Sequence, residues 1–339
     1  MRTMRIGIAV PGHLKTVPMG RYCTETFRGM GHEVLLFDAG SLTLAEKAFL
    51  RPVAKMRGKR AFEKTRLNRR LSEAMRGFQP DFFLAIFGFD LFPETVAEIR
   101  RRGARTACWW LNDPFQFERG AALAPPYDFF FTNCARSAAR HTAAGLRAAH
   151  LAHAAFPTVH RPISLSETER AKLASEVCFL GDWGPVRQGI LSQLSRKISL
   201  RIWGPWRKHL TPRDRLWGCV EDGYFTPEQM ARILSAAKVA INLHSWFGYY
   251  ESGLNPRTFE TPACGAAQVC DWKSDLEPHF VLGREIATYR TGEEIEGLLR
   301  RLLEDEAARA GLAQSGFRRV LAEHTYRLRM ERMLNLAGF

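Results

Sequence analysis

Short apolar runs recur along this chain, each separated from the next by a longer amphipathic or loop stretch. In the first half they lie at residues 5–10, 33–37, 81–87, 105–110, 127–131 and, more weakly, 150–153. Runs of this length bounded by turn residues read as buried strands, and their alternation with helical segments predicts a doubly wound parallel sheet. The loop after the first run, Pro11-Gly12-His13, lacks the glycine-rich dinucleotide fingerprint, which disfavours a dehydrogenase. A proline-marked connection at residues 157–162 follows, and the alternation then restarts with runs at 176–180, 200–203, 239–242 and 267–270. The pattern therefore predicts two successive Rossmann-like α/β domains, residues 1–160 and 161–320. A helical tail begins near residue 305, breaks near Gly316 and ends in a helix over 321–339.

Composition narrows the class. A chain of 339 residues is long for one domain and sufficient for two, and 46% hydrophobic with 25% charged residues excludes a disordered chain. The absence of an apolar run long enough to span a bilayer, and an opening run too short for a signal-peptide core, lead to the expectation of a cytoplasmic protein. Seven cysteines, an odd number without paired spacing, argue against a disulfide framework and a zinc site. The net charge of +14 is concentrated early: residues 1–160 hold 24 Lys and Arg against 13 Asp and Glu, and residues 51–76 alone hold ten basic against two acidic residues. Such a segment is either a solvated helix face or a surface for an acidic protein or the inner face of an anionic membrane. Nucleic acid is disfavoured, since the segment lacks the interleaved aromatics of a stacking platform and no recognised binding motif accompanies it.

The most informative stretch is Gly253-Leu-Asn-Pro-Arg-Thr-Phe-Glu-Thr-Pro-Ala-Cys-Gly265 with the apolar run that follows it. Pro256 suits a helix start and Gly265 a helix exit at positive φ. Free N–H groups at the helix start, with Asn255 and Arg257, would favour a phosphate. Glu260, three residues after Arg257, falls on the same face and could accept hydrogen bonds from a ribose. The competing reading is an intrahelical Arg257–Glu260 ion pair at an ordinary helix–strand joint.

The pattern Asn255-x-Arg257-x-Phe259-Glu260-x-x-Ala263-Cys264-Gly265 resembles that of the CgeB-type glycosyltransferases of the GT-B superfamily. Ile241-Asn-Leu-His244, Ile202-Trp-Gly-Pro-Trp206 and Phe179-Leu-Gly-Asp-Trp183 are similar to further landmarks of that family, in the expected order. The resemblance implies two Rossmann-like domains facing a central cleft, a tail helix crossing back to the first domain, and transfer of a sugar from a nucleotide-sugar donor. No cofactor beyond that donor substrate is implied. The acceptor, whether protein, glycan or lipid-linked, would lie on the basic first domain. A GT-B-shaped epimerase and a non-catalytic nucleotide-sugar sensor or scaffold are the alternatives; a phosphorylase is disfavoured because Lys273 is the only lysine between residues 240 and 280.

Glycosyl transfer must stabilise a leaving diphosphate and deprotonate an acceptor. With no Asp-x-Asp motif at a strand end, Arg257 is expected to do the first task without a metal, in a hexosyltransferase-like enzyme. Gly181, Asp182 and Trp183 form either a close-approach turn at the donor or a simple tight turn with Trp183 in the core. Asn242 and His244 are either donor-binding groups or satisfied strand-end residues. On the acceptor side, His13 is the candidate general base with Asp113 orienting it, both at strand exits of the first domain. The Pro11–Leu14 loop is also similar to the histidine loop of some inverting GT-B transferases. Trp109, Trp110 and Phe115, flanking Asp113, are candidates for a sugar platform or for core. Glu251 precedes Glu260 by eight intervening residues, where retaining GT-B enzymes have seven, which leaves the stereochemistry open.

Overall fold

The computed structural model describes residues 3–12, 18–40 and 59–339. Strands β1 (Arg5–Val10), β2 (Glu33–Asp38), β3 (Phe82–Ile86), β4 (Arg105–Trp110), β5 (Phe129–Thr132) and β6 (Ala148–His150) make one parallel sheet in the order β2-β1-β3-β4-β5-β6. Strands β7 (Ser175–Leu180), β8 (Leu200–Gly204), β9 (Val220–Asp222), β10 (Ala237–Asn242), β11 (Ala267–Asp271) and β12 (Ala287–Tyr289) make a second, in the order β12-β11-β10-β7-β8-β9. In both sheets every adjacent pair is parallel. The chain divides into two compact units, Met1–Ala152 with Arg329–Phe339, and His153–Leu328. These divisions fall at 152 and 328, against the 160 and 320 read from the sequence.

Each sheet is buried because its strands are apolar on both faces, as parallel sheets require. In the second domain Val177, Phe179, Ile202, Val239, Ile241 and Val269 are nearly inaccessible and belong to one cluster packed under the helix Gly292–Glu304. The strand order then fixes where a ligand can bind. Both sheets reverse direction of growth beside their first strand, between β1 and β3 and between β7 and β10. At such a switch point neighbouring connections leave for opposite faces, opening a crevice beyond the carboxyl ends.

Three details depart from the sequence reading. The sixth strand occupies Ala148–His150 rather than 150–153, because its edge position leaves its side chains half-buried, while the apolar residues Leu151, Ala152, Ala154 and Ala155 are buried in the connection that follows. Strands β9 and β12, three residues each, carry too little pattern to be read in advance. The tail does not break at Gly316: the helix Glu306–Glu323 runs through it and stops at His324. Gly316 is required there for packing, since a Cβ would stand 2.5 Å from the Glu285 carbonyl oxygen and 3.3 Å from Pro262.

Of the basic segment, residues 51–58 lie outside the described residues. The helix Lys59–Phe78 continues it, and several of its cations have partners within the domain: Arg69 pairs with Glu73, Arg76 with Glu98, and Arg70 lies over the Phe37 ring. Among the described residues no helix is long and apolar enough to cross a membrane.

Candidate active site

The carboxyl ends of β7, β10 and β11 meet at the switch point of the second sheet, and polar side chains concentrate there. Asp271 closes β11. Its Oδ1 accepts from the backbone N–H of His244 at 2.8 Å and from His244 Nδ1 at 2.6 Å, and its Oδ2 lies 2.7 Å from Lys273 Nζ. The other ring nitrogen, Nε2, accepts the Asn255 N–H at 3.1 Å, so the ring proton resides on Nδ1. Burial holds His244 below its ordinary pKa against the pull of Asp271. Burial pushes Asp271 upward, but the His244 and Lys273 donors outweigh it and keep the carboxylate below its usual range. His244 is thus a satisfied strand-end residue that fastens the loop following β10.

That loop is tied at several further points. Lys273 also donates to the Tyr250 carbonyl at 2.9 Å, Gly253 N–H to Asp275 at 3.0 Å, and the Trp246 indole to the Ser252 carbonyl at 3.1 Å. Asn242 and Asn255 exchange amide hydrogen bonds of 3.1 and 2.7 Å, and Asn255 Oδ1 accepts the Thr258 N–H at 3.2 Å. Asn255 therefore acts as a cap on the short helix Arg257–Ala263, rather than as a free donor for a phosphate. Pro256 sits at the cap position, and Gly265 leaves the helix at φ 76°.

Arg257 and Glu260 form the intrahelical pair that their spacing allowed, through Nη1 and Oε2. Glu260 is 7% exposed, while the arginine keeps part of its side chain open to solvent and stands over the Phe225 ring. Its Nε is buried without a hydrogen-bond partner among the described residues. A second cation, Arg187, was not singled out from the sequence. It projects from the first turn of the helix Pro185–Leu194, donates to the Leu243 carbonyl at 3.0 and 2.8 Å and to the Asp182 carbonyl at 2.9 Å, and is lowered by burial to about 10, with Asp182 and Asp271 opposing that fall. It remains a guanidinium at neutral pH.

The turn after β7 brings Gly181 against Gly204. The Gly181 carbonyl accepts the Trp206 indole N–H at 2.8 Å, and a Cβ on Gly204 would meet that same oxygen at 2.2 Å. Asp182 is exposed; Trp183 is half-buried, stacked on His209 at 4.1 Å, with its indole donating to Gln188. Trp183 therefore lies at the edge of the core, packed against it on one side and open on the other.

The first domain treats its candidates differently. His13 lies outside the described residues. Asp113 is fully buried, accepting from Trp110 Nε1 at 3.2 Å and Thr132 Oγ1 at 2.6 Å, with His141 Nε2 3.7 Å away. Both carboxylate oxygens serve the packing of β4 against β5, so Asp113 is a buried joint rather than the orienter reaching out from a strand exit that the sequence led one to expect. Trp109 and Trp110 are core, and only Phe115, 40% exposed, is open to a ligand.

A group able to hold a cation does occur among the described residues: ligand atoms of His244, Cys270 and Asp271 lie within 4.8 Å of one another. The Lys273 ammonium already balances Asp271, and burial pushes the Cys270 thiol far above its ordinary pKa, which opposes the thiolate a metal needs.

Residues 187–335 match a protein family described as glycosyl transferase-like. No curated protein matches the sequence. Among solved structures, sucrose-phosphate synthase from Thermosynechococcus elongatus is similar with a TM-score of 0.71 at 12% identity, covering 99% of this chain and 98% of that one. Anabaena HepE, solved in complex with UDP and glucose, is similar with a TM-score of 0.67 at 14% identity, covering 99% and 100%. A putative UDP-N-acetylglucosamine 2-epimerase from Listeria monocytogenes follows with 0.62 at 10%, covering 98% and 95%. The fold is thus an α/β fold of two Rossmann-like parallel-sheet domains of the GT-B kind, with a glycosyl transferase-like match over much of its second half.

Proposed function

We propose that this protein transfers a sugar from a nucleotide-sugar donor to an acceptor, with the donor's nucleotide held at the carboxyl end of the second sheet. The observation that carries this reading is the convergence at one switch point of two guanidinium groups, Arg187 and Arg257, with a nearly buried carboxylate, Glu260, on the same short helix as Arg257. On this reading Arg257 leaves Glu260 for the diphosphate, and Glu260 then accepts ribose hydroxyls. The UDP bound by Anabaena HepE and the match to a glycosyl transferase-like family support it.

Negative charge develops on the leaving diphosphate, and preorganised cations at that point lower the barrier most effectively. Two arginines suffice for this, so we take the reaction to be metal-independent and of the hexosyltransferase type. The finer assignment to the CgeB type rests on the Asn255–Gly265 pattern. The acceptor, a protein, glycan or lipid-linked group, is assigned to the basic first domain, and the site of action to the cytoplasm, with contact at the inner membrane face through the 51–76 segment.

Incubation with a panel of nucleotide sugars, UDP-glucose first, tests the reading: release of nucleoside diphosphate supports it. Saturable binding without turnover would instead indicate a sensor, and an epimerised donor recovered intact would indicate an epimerase. Arg257→Ala should weaken nucleoside diphosphate binding by roughly 1.5–3 kcal/mol while leaving nucleoside binding nearly unchanged. Calorimetry showing equal losses for both ligands would remove the phosphate role.

A further inference from the structure

The connection between the two domains contributes a residue to this site that nothing in the motif announces. The chain turns tightly after Phe156: Val159 and His160 N–H groups both donate to the Phe156 carbonyl, at 2.9 and 2.8 Å. The Phe156 N–H in turn donates to His160 Nδ1 at 3.0 Å. Because a backbone N–H can only donate, Nδ1 is the unprotonated nitrogen, and the ring proton is on Nε2. That Nε2 faces Glu260 Oε1 at 3.7 Å, while Arg257 engages Oε2 of the same carboxylate. His160 itself is fully buried, and burial depresses its pKa, so the ring approaches the carboxylate as a neutral donor.

Glu260 therefore has a bonded cation at one oxygen and, 3.7 Å from the other, just beyond hydrogen-bond reach, an imidazole N–H. Arg257 is a partly exposed cation on a flexible stem and can move. The imidazole is fixed by its turn, and the turn is fixed by the neighbouring chain: Ala155 N–H donates to the His324 carbonyl at 2.9 Å, and Tyr326 N–H donates back to the Ala155 carbonyl at 2.9 Å. Pro162, two residues on, packs against Gly265 at the exit of the Glu260 helix, where a Cβ would lie 3.0 Å from the proline ring.

We propose that His160 is a positioning residue for Glu260. When Arg257 departs to the diphosphate, Glu260 Oε1 closes the 3.7 Å gap to the Nε2–H and is held there, leaving the other oxygen oriented to accept the ribose hydroxyls. A neutral donor suits this task, because a charged partner would compete with the ribose for the carboxylate. The inference rests on the nucleotide reading of the site, and it extends the donor site to a connection that is remote in sequence from the motif.

The test compares a ribonucleoside diphosphate, UDP first, with its 2′,3′-dideoxy counterpart by calorimetry. The wild type should prefer the ribose form by roughly tenfold or more, the scale of a hydrogen bond to a charged group. His160→Leu should lose most of that preference while keeping the affinity for the dideoxy form, and His160→Gln, which retains an N–H donor, should restore it. The histidine resonance provides a measurement independent of folding in the variants: the Nε2–H signal of His160 in the wild-type protein should shift on adding UDP and move little with the dideoxy form. Equal loss of both ligands in His160→Leu, or an Nε2–H signal that ignores the ribose hydroxyls, would overturn the role of His160 while leaving the site intact. A wild type that binds UDP and does not discriminate the dideoxy form would overturn the ribose role of Glu260 itself.

Discussion

Asp113 follows the carboxyl end of β4 in the first sheet and Asp271 closes β11 in the second, and both are fully buried. Their surroundings differ in charge. Asp113 is held by an indole, a hydroxyl and a histidine, and its main chain exchanges bonds of 3.2 and 2.9 Å with the Asn133 amide. Asp271 is held by a lysine ammonium and a histidine, and Arg187 lies close enough to feel its charge. Between β1 and β3, where the first sheet changes direction of growth, the apolar side chains of Val10, Pro11, Phe37, Ile86, Phe89 and Leu91 line a recess of about 10 Å³. One carboxylate thus serves as a joint between strands. The other sits in a field of movable and fixed cations, the setting in which an anionic ligand changes the balance of charge.

The largest effect that sharpens this contrast is expected from Asp271→Ala. Removing the carboxylate leaves Lys273, 2% exposed, as a buried charge without its counter-ion and unties His244 from the loop after β10. Breaking a buried pair in this way costs roughly 3–5 kcal/mol. Chemical denaturation should show that loss, and a change under about 1 kcal/mol would mean that the ion pair does not hold the loop.

A smaller loss, about 1–3 kcal/mol, is expected from Asp113→Asn, since an amide cannot accept from both Trp110 and Thr132 without turning its own N–H₂ toward one of them. Donor binding at the second domain should be unchanged. If stability is retained while turnover collapses, Asp113 is catalytic and the comparison with Asp271 fails.

Much of this organisation is legible in the sequence because both sheets are parallel and buried on both faces, which writes each central strand as an apolar run. The central strands of the second domain begin and end within two residues of their runs. The site is only partly legible. The i, i+3 spacing of Arg257 and Glu260 contains their pairing, and Gly265 marks the helix exit, since both are local relations. Arg187 looks like an ordinary surface arginine at a helix start; its guanidinium is tied into the site by the Leu243 carbonyl, 56 residues away in sequence. His160 gave no signal within a proline-rich connection, and its relation to Glu260 depends on where a hundred intervening residues fold. Gly316 misled for the same reason: a glycine in a helical pattern reads as a break, and only the Glu285 carbonyl from another segment explains it.

Acidification provides the gentlest probe of the comparison. His244 and His160 in the second domain are both held below their ordinary pKa by burial, so the native state resists protonation where the unfolded chain accepts it. A depressed histidine contributes no pH dependence above its unfolded value of about 6.5, and costs stability as pH falls from there towards the folded value, at up to about 1.4 kcal/mol per pH unit for each group. In the first domain His32 is lowered as well, again by burial, and Glu98 is held down to about 2 by Ser72 and Arg76. The Glu98 contribution is present above its ordinary carboxylate range and is lost only as pH falls through that range towards 2. Between pH 7 and 5.5 the second domain should therefore weaken more steeply than the first. Native-state hydrogen exchange, corrected for intrinsic rates and read on peptides from β10 and β11 against those from β3 and β4, measures the two separately. Equal slopes would show that the buried histidines of the second domain do not set its response to acid, and that the difference in charge between the surroundings of Asp113 and Asp271 has no thermodynamic consequence near neutrality.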